Sequence, residues 1–174
     1  MTNDTRVSPA QTGYAIFSEA TSGVVDYERI REIANSLVPF GRFAGVSITE
    51  VSPDRAIVEI PVSKNLTNHL GTVHAGALFL AADIAGAAAS AGALAPRLAQ
   101  VERMVVRDAR STFRKPAVGR IRAIATVDDR EVRRVLASDA AEQFDLDGKA
   151  LLYDDADVLV AKFHFDYFCN ITAS

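Results

Sequence analysis

Between Ala75 and Pro96 the chain reads AGALFLAADIAGAAASAGALAP, and Asp83 is the sole charge in that stretch. A run this long and apolar either crosses a bilayer or becomes the buried helix of a folded domain. Most of it is Ala and Gly, which drive insertion weakly. A mid-span Asp costs about 2.5–3.5 kcal/mol on insertion scales, and no basic flank precedes the run. The expectation is therefore no membrane span, but a central helix wrapped by the rest of the protein. Its small side chains let other backbone approach closely. A carboxylate in such surroundings costs several kcal/mol unless it is paired or protonated. Asp83 is thus the first candidate for chemistry.

The remaining elements follow from periodicity and turn chemistry. Residues 1–23 read as a flexible leader and 24–170 as one domain, which 174 residues can supply with a substantial core. Asp26 caps a predicted helix Tyr27–Val38, with Ile30, Ile33, Ala34 and Leu37 at helical spacing and Pro39 and Gly41 as its stop. Val46–Val51 and Arg55–Val62 alternate around Ser52-Pro53-Asp54 and predict a hairpin, with Ala56, Val58, Ile60 and Val62 on one face. Lys64–Val73 reads as a loop. After the long helix, strands are expected at Val101–Phe113 and Ile121–Val127, and a short helix at Asp129–Gln143. A last hairpin is expected from Ala150–Tyr153 and Val158–Phe168. Strands flanking one buried helix predict an α+β domain, an antiparallel sheet curled around that helix.

Composition removes several function classes. A net charge of -3 does not suit a nucleic-acid binder. The single cysteine, Cys169, allows neither an intrachain disulfide nor a cysteine metal cage, and a reducing compartment, the cytoplasm, is the simplest reading. The first residues, MTNDTRVSPAQTG, lack a secretory hydrophobic region. No trio of His, Asp and Glu has metal-ligand spacing, so neither metal nor cofactor is expected.

A polar cluster, Asn68, His69, Gly71 and His74, ends where the apolar run begins. The segment from Asn68 through His74 to Asp83 resembles the signature of hotdog-fold thioesterases. It is similar above all to the phenylacetic-acid-pathway type and to a related group labelled a domain of unknown function. Those proteins carry an Asn, a His-Gly-Gly six residues later, and an Asp or Glu nine residues after the His. Phe113-Arg-Lys-Pro116 is similar to their aromatic-x-x-Pro segment. The resemblance covers about residues 40–168. It implies the hotdog fold, thioester hydrolysis, and a homodimer or dimer of dimers. In two places this sequence departs from the pattern. It has His74-Ala75-Gly76 for His-Gly-Gly, and Val106 where some relatives carry a hydroxyl, with Ser111 and Thr112 close in sequence.

Geometry supplies an independent reading. A helix N-terminus presents free N–H groups and partial positive charge, so the amide of Ala75, with Gly76 beside it, is a candidate oxyanion donor. Asp83 is eight residues on, about 12 Å along the axis, too far to act at its own helix's N-terminus. Two such helices packed antiparallel about a two-fold axis bring each Asp83 to the other's N-terminus. In that arrangement Asp83 is a general base or a nucleophile, two roles the resemblance implies equally. Asn68 orients water or thioester, or serves as a turn residue; His74 fixes the loop or polarises the carbonyl, or packs near the N-cap. His69 and His164 read as structural or exposed.

Gly71, Arg114 and Lys115 are candidates for substrate binding. Arg103, Arg107 and Arg110 on the strand, and Arg130, Arg133 and Arg134 near the short helix, are further cations for the phosphates of coenzyme A or a carrier's phosphopantetheine. The alternative for these arginines is a solvated face. The function expected is acyl-CoA hydrolysis, coenzyme A entering only as part of the substrate. The alternative is a hotdog module that binds acyl-CoA or an acyl carrier without turnover. A hydratase or dehydratase is disfavoured, since it needs an acid and a His close together.

Overall fold

A computed structural model describes residues 13–173. Residues 1–12, about half of the expected leader, lie outside the described residues. The leader's remainder is ordered: a 3-10 turn Tyr14–Phe17 runs into helix α1 (Ser18–Thr21), and Phe17 and Ala20 are buried. Two apolar side chains at helical spacing, Phe17 and Ala20, anchor it to the core.

Helix α2 (Tyr27–Leu37) starts where expected, the Asp26 carboxylate accepting the N–H of Arg29 at 2.9 Å. Pro39 ends α2 but opens a second helix, α3 (Pro39–Ala44), for which it supplies the preset φ of a first helical position. Gly45 closes α3 in the left-handed region, φ 72°. Gly41 does not break this helix: a Cβ there would meet Ile84 Cδ1 at 2.7 Å, so the missing side chain is what lets α3 lie on the central helix.

Six antiparallel strands make one sheet in the order β1-β2-β4-β5-β6-β3. They are β1 (Ser47–Val51), β2 (Ala56–Ile60), β3 (Val101–Phe113), β4 (Ile121–Val127), β5 (Glu142–Tyr153) and β6 (Leu159–Ile171). Helix α4 (Ala75–Ala93) lies across the inner face, against β1, β2, β4, β5 and β6. Its hydropathy and length would let it cross a membrane, yet here most of it is buried inside the protein. Ala56, Val58 and Ile60 of β2 face it, as do Ile121, Ala123 and Ala125 of β4. Val62 does not join that face: it lies beyond β2 and is 77% exposed.

The second half departs further from expectation. Helix α5 (Asp129–Leu136) stops well short of Gln143, and β5 begins at Glu142 rather than Ala150. Polar residues (Gln143, Asp145, Asp147, Lys149) fill the outer positions of Glu142–Lys149, while Phe144 and Leu146 point inward and are buried. Gly148 breaks that apolar series. A Cβ on Gly148 would meet Tyr167 Cε2 at 2.9 Å, so the glycine makes room for the Tyr167 ring.

The two sheet edges are treated differently. Along β1, Asn35 of α2 exchanges two hydrogen bonds with the Ile48 backbone, at 2.9 and 2.8 Å, and Arg31 donates to the Ile48 carbonyl. At the other edge β3 pairs, among the described residues, only with β6, and nearly its whole length is exposed. A long uncovered edge strand is a template for pairing with another chain.

Candidate functional site

His74 is the N-cap of α4. Its Nδ1 accepts the N–H of Gly76 at 2.9 Å, and its carbonyl accepts the amides of Ala77 and Leu78. Of the orphan donors in the first turn, only the Ala75 N–H makes no hydrogen bond among the described residues. The Ala75 amide, the expected oxyanion donor, is thus open, while the Gly76 amide beside it is taken by His74. An imidazole whose Nδ1 accepts carries its proton on Nε2, and His74 is exposed. It thus presents an Nε2–H beside the free Ala75 amide.

Asn68 builds the loop ahead of the helix. Its Oδ1 accepts from the amides of Leu70 and Thr72 at 2.9 and 3.2 Å, and its Nδ2 donates to Thr72 Oγ1 at 2.9 Å. This is the turn-residue reading of Asn68, with one amide proton left over. Gly71 completes the turn at φ 74°, where a side chain is strained. The His74 amide bonds to Leu66 and the Val73 amide to Ala117, which fixes the loop's exit.

Asp83 is half-buried on the one stripe of α4 that the chain leaves open. Gly76, Phe79, Asp83 and Ala87 follow one another along it at helical spacing, while the residues between them are covered. Phe79, 40% exposed, stacks edge-on against Phe163 and Phe165. Asp83 makes no hydrogen bond or ion pair among the described residues, and burial raises its carboxyl above the usual range. Close by, the Tyr167 hydroxyl is buried without a hydrogen-bond partner among the described residues, 2.0 Å from where a Cβ on Gly86 would sit. Burial and the nearby Asp83 both push that phenol's pKa up. Periodicity could not reveal this hydroxyl; the signal was a lone glycine, Gly86, in the middle of a good helix.

Within one chain, then, His74, Ala75 and Gly76 come together, with Asn68 behind them, and Asp83 lies two turns away. On β3 the register puts Met104, Val106, Ala109, Ser111 and Phe113 on the helix side of the sheet, opposite inward residues of β6. Arg103, Arg107 and Arg110 point to the outer side. There Arg107 bridges Asp145 and Asp166, each at 3.1 Å, and Arg103 lies over the Phe168 ring. Arg130, Arg133 and Arg134 are likewise engaged by Asp128, Asp129, Glu131 and Glu142. Arg114 and Lys115, exposed just past the end of β3, make no ion pair among the described residues. His69 and His164 are exposed. No cluster of three or more His, Cys, Asp or Glu among the described residues could hold a metal.

Two cavities flank this stripe, each about 570 Å³. One lies at the start of α4, where Arg42, Ser63, Asn65 and His74 share the wall with Phe40 and Phe43. The other lies beyond Asp83 and is mainly apolar.

The chain belongs to the family described as "Domain of unknown function (DUF4442)", whose model matches residues 27–168. Its fold is the hotdog fold. A Pseudomonas aeruginosa protein of unknown function, described as a probable thioesterase, is 23% identical over 83% of this chain and 95% of its own, with a TM-score of 0.63. The Escherichia coli PaaI protein from the phenylacetic acid degradation operon is 17% identical over 84% and 94%, TM-score 0.62. A Shewanella oneidensis protein related to the thioesterase superfamily is 17% identical over 87% and 96%, TM-score 0.66. No curated protein sequence matches the chain.

Proposed function

We propose that this protein is an acyl-thioester hydrolase acting on acyl-CoA, with two equivalent sites that each draw on both subunits of a homodimer. The observation that carries this reading is the open stripe of α4. It holds a free amide at Ala75 and, about 12 Å further on, a half-buried carboxylate with no partner. Neither group has a hydrogen-bond or ion-pair partner among the described residues of its own chain. A two-fold axis crossing the stripe near Phe79 would set each Asp83 against the other subunit's Ala75. The bare β3 edge supports the same assembly: it presents Val106 and Phe113, each at least 40% exposed, on the helix side of the sheet.

In this site Asp83 takes a proton from water, and the water oxygen bonds to the thioester carbonyl carbon. The carbonyl electron pair moves onto oxygen, where the partner helix's Ala75 N–H and His74 Nε2–H stabilise it. When the carbonyl reforms, the carbon–sulfur bond breaks, and the leaving thiolate takes the proton from Asp83. In an alternative course the Asp83 carboxylate attacks the carbonyl carbon, the carbon–sulfur bond breaks to release coenzyme A thiolate and leave a mixed anhydride, and water opens the anhydride to the carboxylic acid product and free Asp83, its proton passing to the thiolate. Asn68 shapes the loop and offers its spare amide proton. Arg114 and Lys115, exposed and without an ion pair among the described residues, would hold the phosphates of coenzyme A.

A second reading, a module that binds acyl-CoA without turnover, is favoured by one observation: the Asn68 side chain and the Gly76 amide are largely used up within their own chain. Thiol release from a panel of acyl-CoAs separates the two. Release by the wild type that is lost in Asp83→Ala supports hydrolysis. No release from any substrate, with acyl-CoA still raising the melting temperature, supports the binding module.

A further inference from the structure

The apolar cavity beyond Asp83 is not used by the mechanism above. Its floor is α4: Ile84, Ala87, Ala88 and Ala91 lie at helical spacing, and the cavity starts within a turn of Asp83. Leu37, Val38 and Ile48 form one wall, and Met104 and Val105 of β3 another. Tyr14 and Phe17, stacked with centroids 6.0 Å apart, close it. This closing segment lies outside residues 27–168, the part of the chain the family model matches.

We infer that this cavity receives the acyl group, that it selects a straight apolar chain of medium length, and that Tyr14 and Phe17 set where that chain must end. The inference rests on the hydrolase reading for the position of the thioester, but the cavity's chemistry stands apart from it. A volume near 570 Å³ is in the range of small-molecule sites. Alanines at 87, 88 and 91 keep open a space that larger side chains would fill. The charged residues lining it, Glu102 and Arg103, both come from the start of β3. A hydroxylated or charged acyl group placed along the alanines would lose its water without finding a partner.

Length follows from the helix. From Ile84 to Ala91 the floor runs about 10 Å. An extended chain advances about 1.2 Å per bond, a third of a residue's span, so the floor accommodates about eight carbons. The cavity at the start of α4, with its arginine, serine and asparagine, suits instead the polar arm that carries the thioester.

The test uses S-alkyl-CoA thioethers from propyl to dodecyl, which bind without being cleaved, together with thiol release from the matching acyl-CoAs. Calorimetric affinity should rise about fourfold per methylene up to about octyl and then level off or fall. Tyr14→Ala should move that limit to longer chains, and Leu37→Trp, at a half-exposed wall position, to shorter ones. Ala91→Phe should shorten it most; Leu37→Trp keeps the test alive if Ala91→Phe does not fold. Affinity independent of length overturns the inference. So does a limit that stays fixed in variants melting like the wild type. A length limit that moves as expected while no acyl-CoA is hydrolysed upholds the cavity's role and sinks the hydrolase reading instead.

Discussion

Asp83 stands under two opposing demands. Burial raises its carboxyl pKa, and a base that is half-desolvated is stronger when ionised but harder to ionise. Its native pKa lies above the unfolded value, so the native state binds more protons between the two. Asp83 therefore removes stability as pH rises from the ordinary carboxylate range through its raised native pKa. Asp83→Asn should melt higher than the wild type at neutral pH, and that gain should vanish below the carboxylate range, as read by calorimetry across pH. The same variant should lose about 100- to 10,000-fold in thiol release. Tyr167 poses a related question at one atom. Its hydroxyl is buried and unpartnered, so Tyr167→Phe should fold at least as stably as the wild type. Gly86→Ala, which drives a Cβ to 2.0 Å from that hydroxyl, should cost about 1–3 kcal/mol by denaturant titration.

At the scale of elements, the buried Arg97 ties together the far end of α4, the turn after α5 and the C-terminal strand. Its guanidinium donates to the carbonyls of Val135, Ala140 and Thr172 at 3.1, 3.2 and 2.8 Å, and to that of Ser138. Arg97→Met should leave those carbonyls unpaired and cost about 3 kcal/mol, read as a lower urea midpoint with the activity of the folded fraction unchanged. Nothing in the sequence marks this clamp, since an arginine after a proline looks like an exposed helix exit. The elements that were legible had strict periods and clear ends: Asp26 capping α2, the alternation in β2 and β4, and the apolar run of α4. Those that were not legible had few apolar residues or special partners. The first half of β5 hides its inward Phe144 and Leu146 among acids, and Gly148 in its middle makes sense only against the Tyr167 ring. The site divides the same way. The lone acid and the helix N-terminus were visible in sequence. The capture of Gly76 by His74, and of Asn68 by its own turn, depends on side-chain directions that spacing does not encode.

The molecule as a whole has one protected edge and one bare edge. Asn35 and Arg31 of α2 cover β1, while β3 carries exposed Val105, Val106 and Phe113. Pairing of β3 with a second copy would extend the sheet and bury the open stripe of α4 at once. Val106→Lys, on the helix side of β3, should then give a species of monomer mass by analytical ultracentrifugation and lose thiol release with it.

The most direct test asks whether two inactive subunits make one active site. Ala75→Pro deletes the free amide at the first helical position, where proline is tolerated, and the extended His74 backbone ahead of it (φ −64°, ψ 140°) already suits a following proline. Asp83→Asn deletes the acid. Each variant alone should be nearly inactive. Unfolding, mixing and refolding the two in equal amounts should restore about a quarter of wild-type thiol release, because half the dimers are mixed and each mixed dimer holds one intact site. A mixture no more active than its parts would contradict the shared site.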